Sequence, residues 1–220
     1  MKTKQKLVLA ALLTSLTIGA QAAVVNVITP TGVSIVDSTS NYASPGGTGS
    51  LIDGSGLSAT IGETIDTATV STITVSGDID TIGWRRNGSA TPAVDLTFNL
   101  AGITSLSGII IGNYVESSAY TYRGISTFGL EISTDGGFSY TFAQTVNPAQ
   151  ASSGGNLQFI DLGVTYTGVT NIKFNDATYF SSDGAQIMGL TEVRFTSPIP
   201  EPSAALLGGL SMLCLLRRRR

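Results

Sequence analysis

The stretch Val94-Asp95-Leu96-Thr97-Phe98-Asn99-Leu100 alternates apolar and polar side chains without a break. Successive side chains of an extended strand point to opposite faces, so Val94, Leu96, Phe98 and Leu100 line one face and predict a half-buried strand. Similar runs recur at residues 69–75, 106–111, 128–132, 140–146, 157–162, 171–174 and 190–195. No segment of useful length carries the 3.6-residue period of an amphipathic helix. Glycine, at 26 of 220 residues, falls mostly between the runs, where short turns need it. The pattern predicts an all-β sandwich. In the stretch EISTDGGFSYTF, Asp135-Gly136-Gly137 separates two alternating runs. Glycine supplies the positive φ of a tight hairpin, and one carboxylate beside two glycines predicts a turn rather than a calcium loop.

Both ends of the chain break this pattern. Lys2, Lys4 and Lys6 precede the apolar residues 7–18, and Ala20-Gln21-Ala22 follows with small residues at the positions a signal peptidase reads. Residues 1–22 therefore predict a secretory signal helix cleaved after Ala22, handled by signal peptidase and the export machinery. A buried amphipathic helix would need a polar face, and residues 7–13 have none. At the other end, residues 203–216 are fourteen uncharged, mostly apolar residues followed by Arg217, Arg218, Arg219 and Arg220. As a helix they reach about 21 Å against a hydrocarbon core of about 30 Å, a marginal transmembrane span. Arginine side chains snorkel to the interface and fix their end on the cytoplasmic side. Pro198, Pro200 and Pro202 keep the preceding strip extended and open to a protease.

Charge and cysteine usage narrow the body, residues 23–197, to one exported domain. Outside the leader and the arginine block, five basic residues face fifteen acidic ones, and there is no histidine. Nucleic acid is a poor partner for such a surface, because phosphate contacts need clustered Lys or Arg. The single cysteine, Cys214, lies in the apolar tail, so the body has neither disulfide nor thiol chemistry despite its oxidising destination. Catalysis finds little support: no histidine, no G-x-S-x-G elbow, and no carboxylate pair that the sequence singles out.

Two resemblances follow from these residues. Pro200-Glu201-Pro202, the short apolar stretch and the four arginines, in that order over residues 198–220, resemble the PEP-CTERM sorting signal of bacterial exported proteins. That resemblance implies transient anchoring in the inner membrane, cutting by an exosortase-type membrane peptidase, and delivery to the cell surface or extracellular matrix. A plain C-terminal anchor that is never cut is the alternative. The second rests on Leu51-Ile52-Asp53-Gly54, Trp84, residues 94–100, the stretch RGISTFGLEISTDGG from Arg123, and the closing GLTEVRF of residues 189–195. Together, over about residues 41–196, they resemble the discoidin or galactose-binding-like jelly roll, the fold of many carbohydrate-binding modules. The family reaches its tryptophan soon after the LIDG turn, whereas an insertion separates Gly56 from Trp84 in this sequence.

Candidate sites follow. The jelly-roll resemblance implies a structural calcium held by Asp53 and Glu192, with Ser55 where a second acid would stand. The alternative is an Asx turn at Asp53 and a surface ion pair of Glu192 with Arg194 or Arg123. Ligands of such sandwiches meet loops at one end, where aromatic rings stack on sugar faces. The loop GNYVESSAYTYRG, from Gly112, supplies Tyr114, Tyr120 and Tyr122 with Glu116 and Arg123. Tyr and Arg carry an apolar body and a polar end, which suits recognition. Against this, Tyr120 and Tyr122 would share a face of an extended strand and could pack on the sheet. Trp84 with Arg85 offers a second platform for an acidic sugar, or a core residue. Asn87-Gly88-Ser89 fits a glycosylation sequon but reads as a turn. The expected function is a non-catalytic surface or matrix protein that binds carbohydrate or exopolysaccharide. A structural or adhesive protein without a defined ligand is the alternative, and a polysaccharide hydrolase the third.

Overall fold

The computed structural model describes residues 23–36, 47–86, 94–116, 120–153, 155–180 and 187–199. The expected leader with Ala20 and Ala22, the turn at 87–89, and the sorting motif with its arginines lie outside the described residues. Among the described residues no helix is long and apolar enough to cross a membrane.

Among the described residues nine antiparallel strands carry the fold: β1 (Val24–Ile28), β2 (Gly32–Val36), β3 (Thr64–Asp66), β4 (Trp84–Arg86), β5 (Val94–Asn113), β6 (Ile125–Ser133), β7 (Thr141–Val146), β8 (Gln158–Tyr179) and β9 (Met188–Pro198). One helical turn, α1 (Ile79–Ile82), precedes β4. The expected all-β sandwich is therefore what forms, built around two long strands that each serve both layers. The first half of β5 pairs with β2 and with the second half of β8, as in Ser34 opposite Thr97 and Thr97 opposite Lys173. Its second half pairs with β9 and with the first half of β8, as in Ile109 opposite Phe195 and Ile160. Register shifts between Asn99 and Gly108 mark the passage. Such irregularities bend and twist a strand, which lets one chain segment leave one layer and enter the other. One layer is then β2, β5, β8, β6 and β7; the other is β3, β1, β9, β5 and β8, with β4 on β9.

The alternation read in the sequence fills the space between them. Leu96, Phe98, Phe174, Phe128, Val193 and Phe195 are buried in a single cluster. Phe128 stacks on Phe174 at 3.9 Å between centroids, and Phe195 meets Phe98 edge-on at 5.3 Å across the layers. Each such ring removes a large apolar area from water, and the tilted contacts add a little beyond area.

The insertion between Gly56 and Trp84 has a separate task. Ile109, Ile110 and Ile111 are all fully buried, although a strand facing water on one side would expose the middle one. Ile110 points outward and is covered by Val70, Ile73, Val75 and Ile82. The strand predicted at 69–75 is instead a 3-10 turn, Val70–Thr72, followed by two bridge residues, Thr74 and Val75. Asp66 starts that turn: its carboxylate accepts the Ala68 N–H at 2.9 Å and its carbonyl accepts the Thr69 N–H at 2.9 Å. Local side-chain bonding of this kind outcompetes a ladder, while the apolar residues still reach the second cluster.

Candidate functional site

Tyr114 follows directly on β5, and the loop that begins there returns through a 3-10 turn, Thr121–Arg123, into β6. Asn113 fastens both ends of this loop. Its buried amide donates to the carbonyls of Ile125 at 2.9 Å and Ala149 at 3.0 Å, and its oxygen accepts the N–H groups of Tyr114 and Ile125. Gly124 is required beside it, because a Cβ there would lie 2.2 Å from the Asn113 oxygen. The turn itself is closed by the Arg123 N–H on the Tyr120 carbonyl, and Gln150 donates to the Thr121 hydroxyl at 2.8 Å.

Within that frame the side chains converge on Glu116. Its Oε2 accepts the Tyr114 hydroxyl at 2.6 Å and Arg123 Nη1 at 2.7 Å, while Arg85 Nη1 stands 3.9 Å from Oε1. Burial, and then the bond to Glu116, push the Tyr114 hydroxyl up to about 12, so it stays a proton donor. The Arg123 guanidinium lies 3.9 Å from the Tyr120 ring centroid, and Tyr122 meets Tyr120 edge-on at 6.2 Å. Six of the seven expected ligand residues, all but Trp84, thus form one connected group at one end of the sandwich.

Two aromatic expectations need correction in detail. Tyr114 is fully buried, its ring fitting against Gly189, where a Cβ would come within 2.6 Å of it. Trp84 is also buried, in the main core cluster. Neither ring offers a face to a sugar. Within the loop the exposed aromatic surface is Tyr120 and the half-buried Tyr122, and residues 121–123 are a 3-10 turn rather than the strand that would have laid both rings on the sheet. The supporting residues Asn113, Gly124 and Gly189 were not singled out in the sequence. An Asn between an alternating run and an aromatic loop is the only signal it held for the first of them.

The expected calcium residues lie elsewhere, on the outer face of β9. Asp53 closes an Asx turn by accepting the Ser55 N–H at 2.8 Å. Glu192 is completely buried and accepts the Gly54 N–H at 3.1 Å. Its other oxygen stands 2.9 Å from Arg194 Nη1, which also donates to the Ile52 carbonyl. Burial pushes the Glu192 carboxyl up to about 8, against the pull of Arg194 and the Gly54 N–H. A calcium ion takes six to eight oxygens. Two carboxylates, one carbonyl and a guanidinium already seated among them do not fit that requirement, and no group of three or more acids among the described residues could hold a metal.

At the hairpin, Asp135 accepts the N–H groups of Phe138 and Ser139, both at 3.0 Å, and the hydroxyls of Ser133 and Ser139. The Ser139 and Ser133 hydroxyls, foremost, hold it well below the usual carboxylate range. Gly136 and Gly137 have φ of 82° and 91°, as the turn reading requires.

No family model matches the sequence, and no curated protein matches it. Solved structures do. The chain is similar to the family 32 carbohydrate-binding module of C. perfringens NanJ, solved in complex with galactose, at 12% identity and a TM-score of 0.51, covering 79% of this chain and 99% of that one. It is similar to the family 32 module of Streptococcus pneumoniae EndoD at 13% identity and a TM-score of 0.52, covering 79% and 99%. At these identities the likeness is one of fold: the body is a β-sandwich of the discoidin-like, galactose-binding-like type.

Proposed function

We propose that the chain is an exported surface or matrix protein, sorted through its PEP-CTERM tail, whose sandwich binds carbohydrate through the loop of Tyr120, Tyr122, Arg123 and Glu116. The observation that carries the binding reading is the packing of Arg123 between Glu116 and the Tyr120 ring, beside Tyr122 and Arg85. Sugars present apolar C–H faces and rims of hydroxyls. An exposed ring takes the first, and a carboxylate held by arginines takes the second. The structural neighbours include a module solved in complex with galactose, which fits this reading. Glycan-array binding by the wild-type chain, reduced about tenfold or more in Tyr120→Ala and Tyr122→Ala, is the expected result. Unchanged binding in both variants would move the ligand elsewhere.

A second reading, adhesion without a defined glycan, has its own observation. Phe138 is 93% exposed and Phe142 60% exposed, on and beside the edge strand β7. Rings in that position suit non-specific surface contact. Retention of wild-type chain on a hydrophobic surface, lost in Phe138→Ser, together with a blank glycan array would favour it.

A further inference from the structure

The layer of β2, β5, β8, β6 and β7 has an outer face as well as the one that meets the core. Phe98, Phe174 and Leu130 are buried in the core cluster, so Thr97, Lys173 and Glu131, one residue away on the same strands, point outward. Register aligns them in one row: Ser34 opposite Thr97, Thr97 opposite Lys173, Lys173 opposite Glu131, and Glu131 opposite Phe142 of the edge strand β7. At about 4.8 Å per strand this row runs about 19 Å, longer than one sugar ring. Phe142 ends it, 60% exposed, its ring leaning over Gly129, where a Cβ would lie 3.5 Å away. Lys173 Nζ lies 5.2 Å from the ring centroid of the half-buried Tyr140, 2.6 Å from Glu131 Oε2 and 3.9 Å from Asp95 Oδ2. None of these groups belongs to the loop of Tyr120 and Tyr122. We propose that this face is a second ligand site, and that it takes a run of linked neutral sugars laid along the row from Phe142 and Tyr140 toward Thr97.

The make-up of the row selects that occupant. A protein partner needs a centre depleted of charge, and this row has an ion pair at its centre. An acidic polymer would bring its charges against two carboxylates and one ammonium that they already hold. A neutral polyol suits both parts of the face: its C–H surfaces lie on the rings, while its hydroxyls donate to the carboxylates and accept from the ammonium. Lys173 is held by its two acids and Phe142 rests on the sheet, so little ordering remains to be done on binding.

Affinity electrophoresis of the full chain in native gels containing hydroxyethylcellulose or dextran tests this. Retardation by at least one of the two polymers is expected in wild type and in a variant carrying both Tyr120→Ala and Tyr122→Ala, so failure of the loop reading leaves this one standing. Phe142→Ala, at an exposed position, is expected to weaken the retardation about tenfold. Phe138→Ser, 93% exposed but outside the row, is expected to leave it unchanged. Retardation by neither polymer overturns the proposal, as does retardation that Phe142→Ala preserves or that the double loop variant abolishes. An equal loss in Phe138→Ser overturns it too, because apolar contact alone would then account for binding. Alginate, whose sugars carry carboxylates, is expected not to retard the double loop variant, and retardation by it overturns the choice of a neutral chain.

Discussion

Glu116 with Arg123 and Glu192 with Arg194 are the same chemical pair in two surroundings. Their closest distances are similar, 2.7 Å and 2.9 Å. Their solvent exposure is not: the Glu116 side chain is 33% exposed, whereas that of Glu192 is inaccessible. Glu116 sits at the rim of a loop, sharing its charge with Tyr114 and Arg85, where ligand hydroxyls could exchange with its present donors. Glu192 lies under the 52–54 turn, where one oxygen accepts the Gly54 N–H and the other, 2.9 Å from Arg194 Nη1, is buried without a hydrogen bond. The dry pair fixes a turn to a strand; the other pair offers its carboxylate to solvent, its arginine being as buried as Arg194. Ion-pair geometry alone therefore does not separate structure from recognition in this molecule, and burial does.

The largest expected effect breaks the dry pair. Glu192→Ala, measured by denaturant unfolding at pH 9 where the carboxyl is ionised, leaves Arg194 buried without its partner and the Gly54 N–H without an acceptor. A loss of about 3–5 kcal/mol is expected. Glu116→Ala, in the same experiment, is expected to cost about 1–2 kcal/mol, because the Glu116 side chain is itself a third exposed and water can enter where it stood. Equal losses would mean that exposure at the loop is not what distinguishes them.

A smaller effect comes from pH. Glu192 is raised from 4.5 to about 8 by burial first, with Arg194 and the Gly54 N–H opposing and Asp53 adding to the rise. Between those values the folded state holds a proton that the unfolded state has released. Stability from this group is thus fully present below about 4.5 and is lost as pH rises through about 8. The wild-type midpoint should fall by a few degrees over that window relative to Glu192→Gln, which has no proton to lose. Parallel pH profiles for the two proteins would show that Glu192 does not titrate there.

How far the sequence reveals this contrast depends on which property each residue expresses locally. Strand faces were legible wherever alternation was unbroken, as at Val94 to Leu100 in β5. The length of β5 and β8 was not. The stretch Ala101-Gly102-Ile103-Thr104-Ser105 and the glycines at 163 and 168 break the two-residue rhythm, so each long strand read as two short ones, when register shifts in fact carry a single strand between layers. β1, β2, β3 and β4 escaped prediction: their short runs, such as Gly32–Val36, are completed only by partners distant in sequence. Among the site residues, the loop from Tyr114 to Arg123 was recognisable from its composition, but burial of Tyr114 depends on the absence of a side chain at Gly189, seventy-five positions away. The role of Arg194 was hidden for a similar reason. A Glu and an Arg two apart on a strand read as a surface pair, and only the turn of residues 52–54 folding over them makes the pair dry.

The smallest effect sharpens the comparison at the other arginine. Arg123 serves Glu116 as a charge and Tyr120 as a flat stacking surface at 3.9 Å. Arg123→Lys keeps the charge and discards the plane, since an ammonium is a compact point charge on a flexible stem. The lost stacking is worth about 0.5–1 kcal/mol at a site partly open to water, and unfolding experiments should register no more than that. Glycan binding would respond in a different way: with its face no longer held by a guanidinium, the Tyr120 ring can rotate, and affinity should fall about threefold to tenfold while the fold is unaffected. A stability loss as large as that of Glu192→Ala would place Arg123 among the structural staples and leave Tyr120 and Tyr122 to carry recognition without it.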